Sequence, residues 1–269
     1  MSSRNSHANK AAARDRLRAE RERQQKKDKT RRQIVVGVSV VAVLAIAGGV
    51  GYGVMQMNKP SAWEAAKSDK VIAPANTTGT NGTTVTIGKP AAKKTLEVYE
   101  DSRCPVCAQF EQTVGTTVQK DVDAGKYKIQ YIGATFIDNN GGEGSKNALS
   151  ALGAALNVSP EAFTAYKSAL YSTTWHPEET SDKFKDDSYL IKVAQTVPAL
   201  KDNAAFQKAV KGGTYDAWAM KMSAKFDKSG VQGTPTFKMD GKAVTVGTTT
   251  NPPMTVAEYN TAITKALAG

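Results

Sequence analysis

Cys104 and Cys107 are the only thiols in the sequence, and they stand three positions apart as C-P-V-C. A secreted domain held by structural disulfides scatters its cysteines, and a zinc ribbon needs a second pair or two histidines at ligand spacing. The only histidines are His7 and His176, so at most one of them could join the cysteines as a third ligand. No metal site is expected, and nothing in the pattern calls for a cofactor. What remains is dithiol chemistry confined to four residues. If the pair opens a helix that leaves the end of a strand, Cys104 falls at or near the N-cap. There, unpaired backbone N–H groups and the helix dipole favour thiolate over thiol. Pro105 suits the first turn because it has no N–H to donate and its φ is already helical. Cys107, one turn in and more buried, is then placed to attack a mixed disulfide formed on Cys104. A fall in the Cys104 pKa from about 8.5 to about 4.5 would stabilise the reduced form at pH 7 by roughly 3.4 kcal/mol, or about 75 mV. Val106, between the cysteines, brings neither charge nor hydrogen bond, and Arg103 is read as an exposed neighbour whose charge is largely screened.

The flanking sequence supplies the elements that this placement needs. Residues 83–87 (T-T-V-T-I) and 95–99 (T-L-E-V-Y) carry the alternation and β-branched content of strands, the second running straight toward the cysteines. After Cys104, residues Phe110, Val114 and Val118 recur at every fourth position, the apolar stripe of a helix lying on a sheet. Residues 128–137 (K-I-Q-Y-I-G-A-T-F-I) read as the next strand. Strand, CxxC, helix and strand make a βαβ unit with a parallel pair. From about 145 to about 229 the signals are helical, with Ser159-Pro160-Glu161 as an N-cap and first turn. A hairpin about Asp240-Gly241 and a last helix opened by Thr255 follow. Met220, Met222, Trp218 and Phe226 read as the buried face of one insertion helix. The run Trp175-His176-Pro177-Glu178-Glu179 reads as a loop with a packed Trp and solvated acids.

At these residues the sequence resembles the DsbA family of the thioredoxin superfamily, in particular its membrane-tethered bacterial members. The resemblance covers about 83–269 and is carried by L-E-V-Y-E-D-S-R-C-P-V-C-A-Q-F, the helical insertion, and V-Q-G-T-P-T-F before the closing hairpin and helix. It implies an α/β thioredoxin fold with a large helical insertion and thiol-disulfide oxidoreductase activity. Cys104 would be the nucleophile, Cys107 the resolving cysteine, and Pro235 a cis-proline facing the disulfide. Thr234 would offer backbone hydrogen bonds to an extended substrate. Many superfamily members bury an acid six residues before the first cysteine as a proton acceptor. Here that position is Val98, and Glu100 and Asp101 are the candidates for proton transfer, with Glu97 nearby.

The first eighty residues speak to location. The formal charge of +11 is concentrated at one end: residues 1–33 hold twelve Lys or Arg against four acids. A basic tail on a nearly balanced body argues against nucleic-acid binding. From Ile34 to Met55 the chain runs 22 residues without a charge. As a helix this run would be roughly 33 Å long, enough for a hydrocarbon core of about 30 Å. The expected organisation is a basic cytoplasmic tail (1–33), one transmembrane helix (34–56), a linker (57–82) and an extracytoplasmic domain (83–269), oriented by the positive-inside rule. A cleaved signal peptide competes, because Ala45-Ile46-Ala47 reads as an A-x-A site, but it exports the same body.

Three functions follow. The first is oxidation of cysteine pairs in exported proteins, with the disulfide restored by a quinone-linked thiol oxidase in the membrane. The second is reduction or isomerisation of such disulfides. The third is a tethered peptide-binding or chaperone module in which the cysteines serve only as a clasp.

Overall fold

Strand β2 (Thr95–Asp101) occupies the centre of a five-stranded sheet and ends three residues before Cys104. The computed structural model describes residues 61–269 together with Arg23, Lys26 and Lys27; the apolar run from Ile34 to Met55 lies outside them. Among the described residues no helix is long and apolar enough to cross a membrane. The sheet also contains β1 (Val85–Ile87), β3 (Lys128–Ala134), β4 (Thr236–Met239) and β5 (Lys242–Ala243), in the order β1-β3-β2-β4-β5. β2 and β3 are parallel, and the β1–β3, β2–β4 and β4–β5 pairs are antiparallel. Asp240 and Gly241 adopt left-handed φ values of 51° and 77°, as a two-residue hairpin between β4 and β5 requires.

Two helices cross or close the sheet: α2 (Pro105–Ala124) follows β2, and α8 (Val256–Ala268) ends the chain. Phe110, Val114, Val118 and Val122 recur every fourth residue on α2, and all are buried. Phe110 meets Phe237 of β4 at a centroid distance of 4.4 Å and Tyr259 of α8 at 6.0 Å. Thr255 and Glu258 close a capping box at the start of α8. Neighbouring strand residues point to opposite faces. Val98 thus pairs with Phe237 on the α2 side, whereas Tyr99 meets Phe226 on the other.

Between β3 and β4 lie α3 (Gly144–Val158), α4 (Pro160–Leu170), α5 (Asp187–Ala194), α6 (Ala204–Lys211) and α7 (Asp216–Asp227). Ser159 caps α4 by accepting from the Ala162 amide. Trp218, Met220, Met222 and Phe226 are all buried on α7.

Two stretches differ from the sequence reading. β3 stops at Ala134, and residues Phe136–Asn140 form a 3-10 turn instead of extending the strand to Ile137. The Ile137 amide donates to Asp101 Oδ2, and Asp138 accepts from the amides of Ser145 and Lys146 at the start of α3. Those bonds draw the chain out of the ladder. The stretch read as a linker, 57–82, is folded from residue 61 onward. It carries α1 (Ala62–Ala66), buries Trp63 and Ala66 against Met220, and hydrogen-bonds to α3 through Ala75 and Asn76. Its composition shows no periodicity because its partners are distant: the Asn157 side chain, the Leu156 carbonyl and the Trp218 indole, which donates to Gly82 O at 2.8 Å.

Candidate functional site

Cys104 is the N-cap of α2, with φ −70° and ψ 117°, and Pro105 opens the first turn. The Cys104 carbonyl accepts the first helical hydrogen bond, from Ala108 N at 3.1 Å. Its sulfur accepts from the Cys107 amide at 3.4 Å. Both cysteines are free thiols, 6% and 2% exposed, in a small cluster with Ala108, Ile137 and Tyr171. Pro105 and Val106 stand out on the surface, Val106 at 44% exposure.

The two sulfurs are electrostatically unequal. The Cys107 thiol hydrogen-bonds to Cys104 and lowers its pKa to about 7 against the resistance of burial, helped by Thr234 and by the amides of Cys107 and Val106. Burial, with the neighbouring Cys104, pushes Cys107 well above the ordinary thiol range. The drop at Cys104 is smaller than an N-cap position alone can produce. At pH 7 a thiol of pKa about 7 is only half ionised, so the reduced form gains roughly 0.4 kcal/mol over an ordinary thiol, on the order of 10 mV.

The Thr234–Pro235 peptide is cis, and the Cys104 thiol donates to Thr234 O at 3.4 Å. The Thr234 hydroxyl is buried with no other partner, which leaves it free to turn toward the sulfur when the thiolate forms.

Glu100 and Asp101 are adjacent in β2 and point to opposite faces. Glu100 enters a buried triad: Lys167 Nζ of α4 lies 3.4 Å from Glu100 Oε2 and 2.8 Å from Glu111 Oε2 of α2. Burial pushes Glu100 up to about 7; Lys167 opposes the shift and Glu111 adds to it, since two carboxylates share one ammonium. Burial also opposes the Lys167 charge, but the carboxylates hold its pKa above the usual lysine range. The triad lines a groove of about 850 Å³ that is open to solvent. Glu100 is therefore in reach of water on one side and electrostatically coupled to both cysteines on the other.

Asp101 is fully buried, and three donors fill its carboxylate: Arg103 N at 2.9 Å, Ser145 Oγ at 2.6 Å and Ile137 N at 3.2 Å. Burial raises it to about 6 although each of those hydrogen bonds pulls downward. Arg103 is buried, contrary to the exposed reading. Its guanidinium reaches Asp138 Oδ1 at 2.8 Å, Gly141 O at 3.0 Å and Glu179 O at 2.8 Å, all away from the sulfurs' immediate partners.

Sequence reasoning missed Lys167, Glu111, Ser145 and Tyr171. Lys167 lies within the polar-looking stretch T-A-Y-K-S of α4, where nothing marks it as 3% exposed. His176 stacks on Tyr171, with centroids 5.8 Å apart, and donates through Nε2 to Ser102 O at 3.1 Å. Burial lowers its pKa, while the bond to Ser102 O and the Glu178 charge pull the other way.

A thioredoxin family model matches residues 80–265. Curated relatives include the serine/threonine-protein kinase PknE of Mycobacterium tuberculosis, 26% identical over 60% of this chain and 29% of the kinase. The match thus spans less than a third of that relative's length. Another is disulfide bond formation protein D of Bacillus subtilis, 24% identical over 59% of this chain and 68% of that protein. Among solved structures, oxidised DsbA of Mycobacterium tuberculosis superposes with a TM-score of 0.53 at 25% identity, covering 69% of this chain and 98% of that one.

Proposed function

The chain belongs to the thioredoxin family that this model describes, and on that premise we propose that it is an extracytoplasmic thiol-disulfide oxidoreductase of the DsbA type, which oxidises cysteine pairs of exported proteins. The observation that carries the exchange chemistry, in whichever direction, is the asymmetry of the dithiol: Cys104 at a helix N-cap with a pKa of about 7, and Cys107 buried behind it and held high.

In the forward reaction a substrate thiolate attacks Cys104 Sγ of the Cys104–Cys107 disulfide. A substrate–Cys104 bond forms, the S–S bond breaks, and the electron pair leaves on Cys107, which takes up a proton. The second substrate thiolate then attacks its own neighbour's sulfur, closes the substrate disulfide and expels Cys104 as thiolate. Two electrons pass from the substrate to the enzyme; of the two protons the substrate dithiol gives up, one is taken up by Cys107 and the other goes to solvent or, at pH below about 7, to the Cys104 thiolate. A quinone-linked thiol oxidase in the membrane is the proposed acceptor that restores the disulfide.

The half-ionised Cys104 makes a good leaving group, and Cys107 a poor one. Glu100, with a pKa near 7 and access to the groove, is the residue proposed to exchange the Cys107 proton with water. Thr234 and Pro235, beside Cys104, are proposed to hold an extended substrate segment. The uncharged run from Ile34 to Met55 supports a single membrane anchor, with the basic tail in the cytoplasm.

A second reading, reduction or isomerisation, is favoured by one feature: a thiol pKa of about 7 gives the reduced form little advantage at neutral pH. Equilibration of the full chain against glutathione separates the two. A potential well above about −270 mV, that of thioredoxin, supports the oxidase, and a value at or below it removes that assignment. Cys107→Ala should accumulate mixed disulfides with exported proteins through Cys104. Recovery of none would count against exchange in either direction.

A further inference from the structure

The three residues before Cys104 are each gripped by a different part of the helical insertion or its approach. The Asp101 carboxylate takes the Ser145 hydroxyl at the start of α3, and its carbonyl takes the Tyr171 hydroxyl at 3.0 Å from the end of α4. The Ser102 carbonyl takes His176 Nε2. Arg103 binds Asp138 and the Glu179 carbonyl and lies 3.4 Å from Asp182 Oδ1. Asp182 in turn accepts the amides of Glu143 and Gly144 at the start of α3. The grip reaches the nucleophile directly, because the Asp101 carbonyl also accepts from Cys104 N at 2.9 Å.

We infer that Asp101, Ser102 and Arg103 form a handle through which the helical insertion sets the position, and thereby the acidity, of the Cys104 thiol. Asp101 is in this view a positioning residue and carries no proton in the reaction. The physical basis is the short range of thiolate stabilisation. The Cys107 amide reaches the sulfur at 3.4 Å, an ordinary distance for N–H···S, and the bond holds only while the first turn keeps the sulfur in line with that amide. The Asp101 carboxylate spends three acceptor sites on Arg103 N, Ser145 Oγ and Ile137 N, and removing a donor leaves a buried acceptor unpaired. The inference rests on the exchange function proposed above.

The test uses the full chain with Ser145→Ala and, separately, Asp182→Asn, neither of which touches a sulfur. The rate of Cys104 alkylation by iodoacetamide is followed against pH in the reduced protein, beside circular dichroism and thermal melting. Both variants should keep the wild-type fold and move the alkylation midpoint upward by about half a pH unit or more. Asp101→Asn should do the same. Midpoints that stay at the wild-type value would overturn the inference, even with lowered melting temperatures, because a merely structural role moves stability alone. So would an Asp101→Asn that changes the pH dependence of turnover but not the alkylation midpoint, which is the signature of proton transfer. A wild-type midpoint near about 8.5, that of free cysteine, sinks the proposed function itself and is distinguishable from both.

Discussion

The Cys104 sulfur lies 3.4 Å from the carbonyl oxygen of Thr234, a residue 130 positions further along the chain. Everything in the helical insertion intervenes, and the contact exists because β4 pairs with β2 and so returns the chain to the end of the strand that delivers Cys104. The neighbouring Thr234 hydroxyl is buried with no other partner and helps to lower the Cys104 pKa. Thr234→Val should therefore raise that pKa above about 7, read as an upward shift in the alkylation midpoint. An unmoved midpoint would show that the hydroxyl does not serve the thiolate.

Stability should depend on pH in a way that differs between redox states. The Cys104 pKa is depressed from 9.0 to about 7 in the folded protein, so its contribution is fully present above 9 and is lost as pH falls through 7. The reduced protein should gain about 2 kcal/mol relative to the oxidised protein between pH 7 and pH 9. Urea unfolding of the two forms across that window measures it, and parallel curves would contradict the depressed thiol.

Glu100→Gln should separate activity from stability. The Glu100 pKa is raised from 4.5 to about 7, so the stability it contributes is present below 4.5 and lost as pH rises through 7. The variant leaves Lys167 paired with Glu111 alone and should melt higher than wild type at pH 8, with little difference at pH 4.5. Turnover of a dithiol substrate should fall about tenfold or more, as loss of a proton acceptor requires. Unchanged turnover would free Glu100 of that role.

Lys167→Met tests the same cluster from the opposite side. It leaves Glu100 and Glu111 buried without their cation, and removal of one member of a buried ion pair costs about 3–5 kcal/mol. Chemical denaturation at pH 8 should show that loss, and lowering the pH to 5 should recover part of it by protonating a carboxylate.

Gly82→Ala probes the segment before the sheet. Gly82 has φ +65°, and an added Cβ would come 2.5 Å from Ala73 Cβ and 2.6 Å from Thr77 Oγ1. Its carbonyl also receives the Trp218 indole. A loss of about 1–3 kcal/mol is expected from the backbone conformation alone. A variant as stable as wild type would mean that residues 61–82 contribute little to the domain.

Several features were legible because their signals are local. The spacing of Phe110, Val114 and Val118 gave the α2 stripe, Ser159-Pro160 gave a helix start, and Asp240-Gly241 gave a hairpin. The order strand, cysteines, helix was enough to put Cys104 at an N-cap, and the 22-residue uncharged run is a statement about composition that needs no coordinates. Each depends on residues within one or two turns of one another, where backbone geometry fixes the outcome.

The tertiary structure alone decided what the side chains near the sulfur do. Sequence offered Glu100 and Asp101 as equals; strand alternation sends one to a lysine and a solvent groove, and the other into a shell of three donors. Arg103 looks exposed in the sequence and is buried, because Asp138 and the loop through Glu179 close over it from 35 and 76 positions away. The degree of thiol acidity belongs with these. A helix N-terminus favours a thiolate in any sequence, but burial opposes the hydrogen bonds to Cys104 and holds its pKa to about 7, and that burial depends on packing that no local pattern encodes.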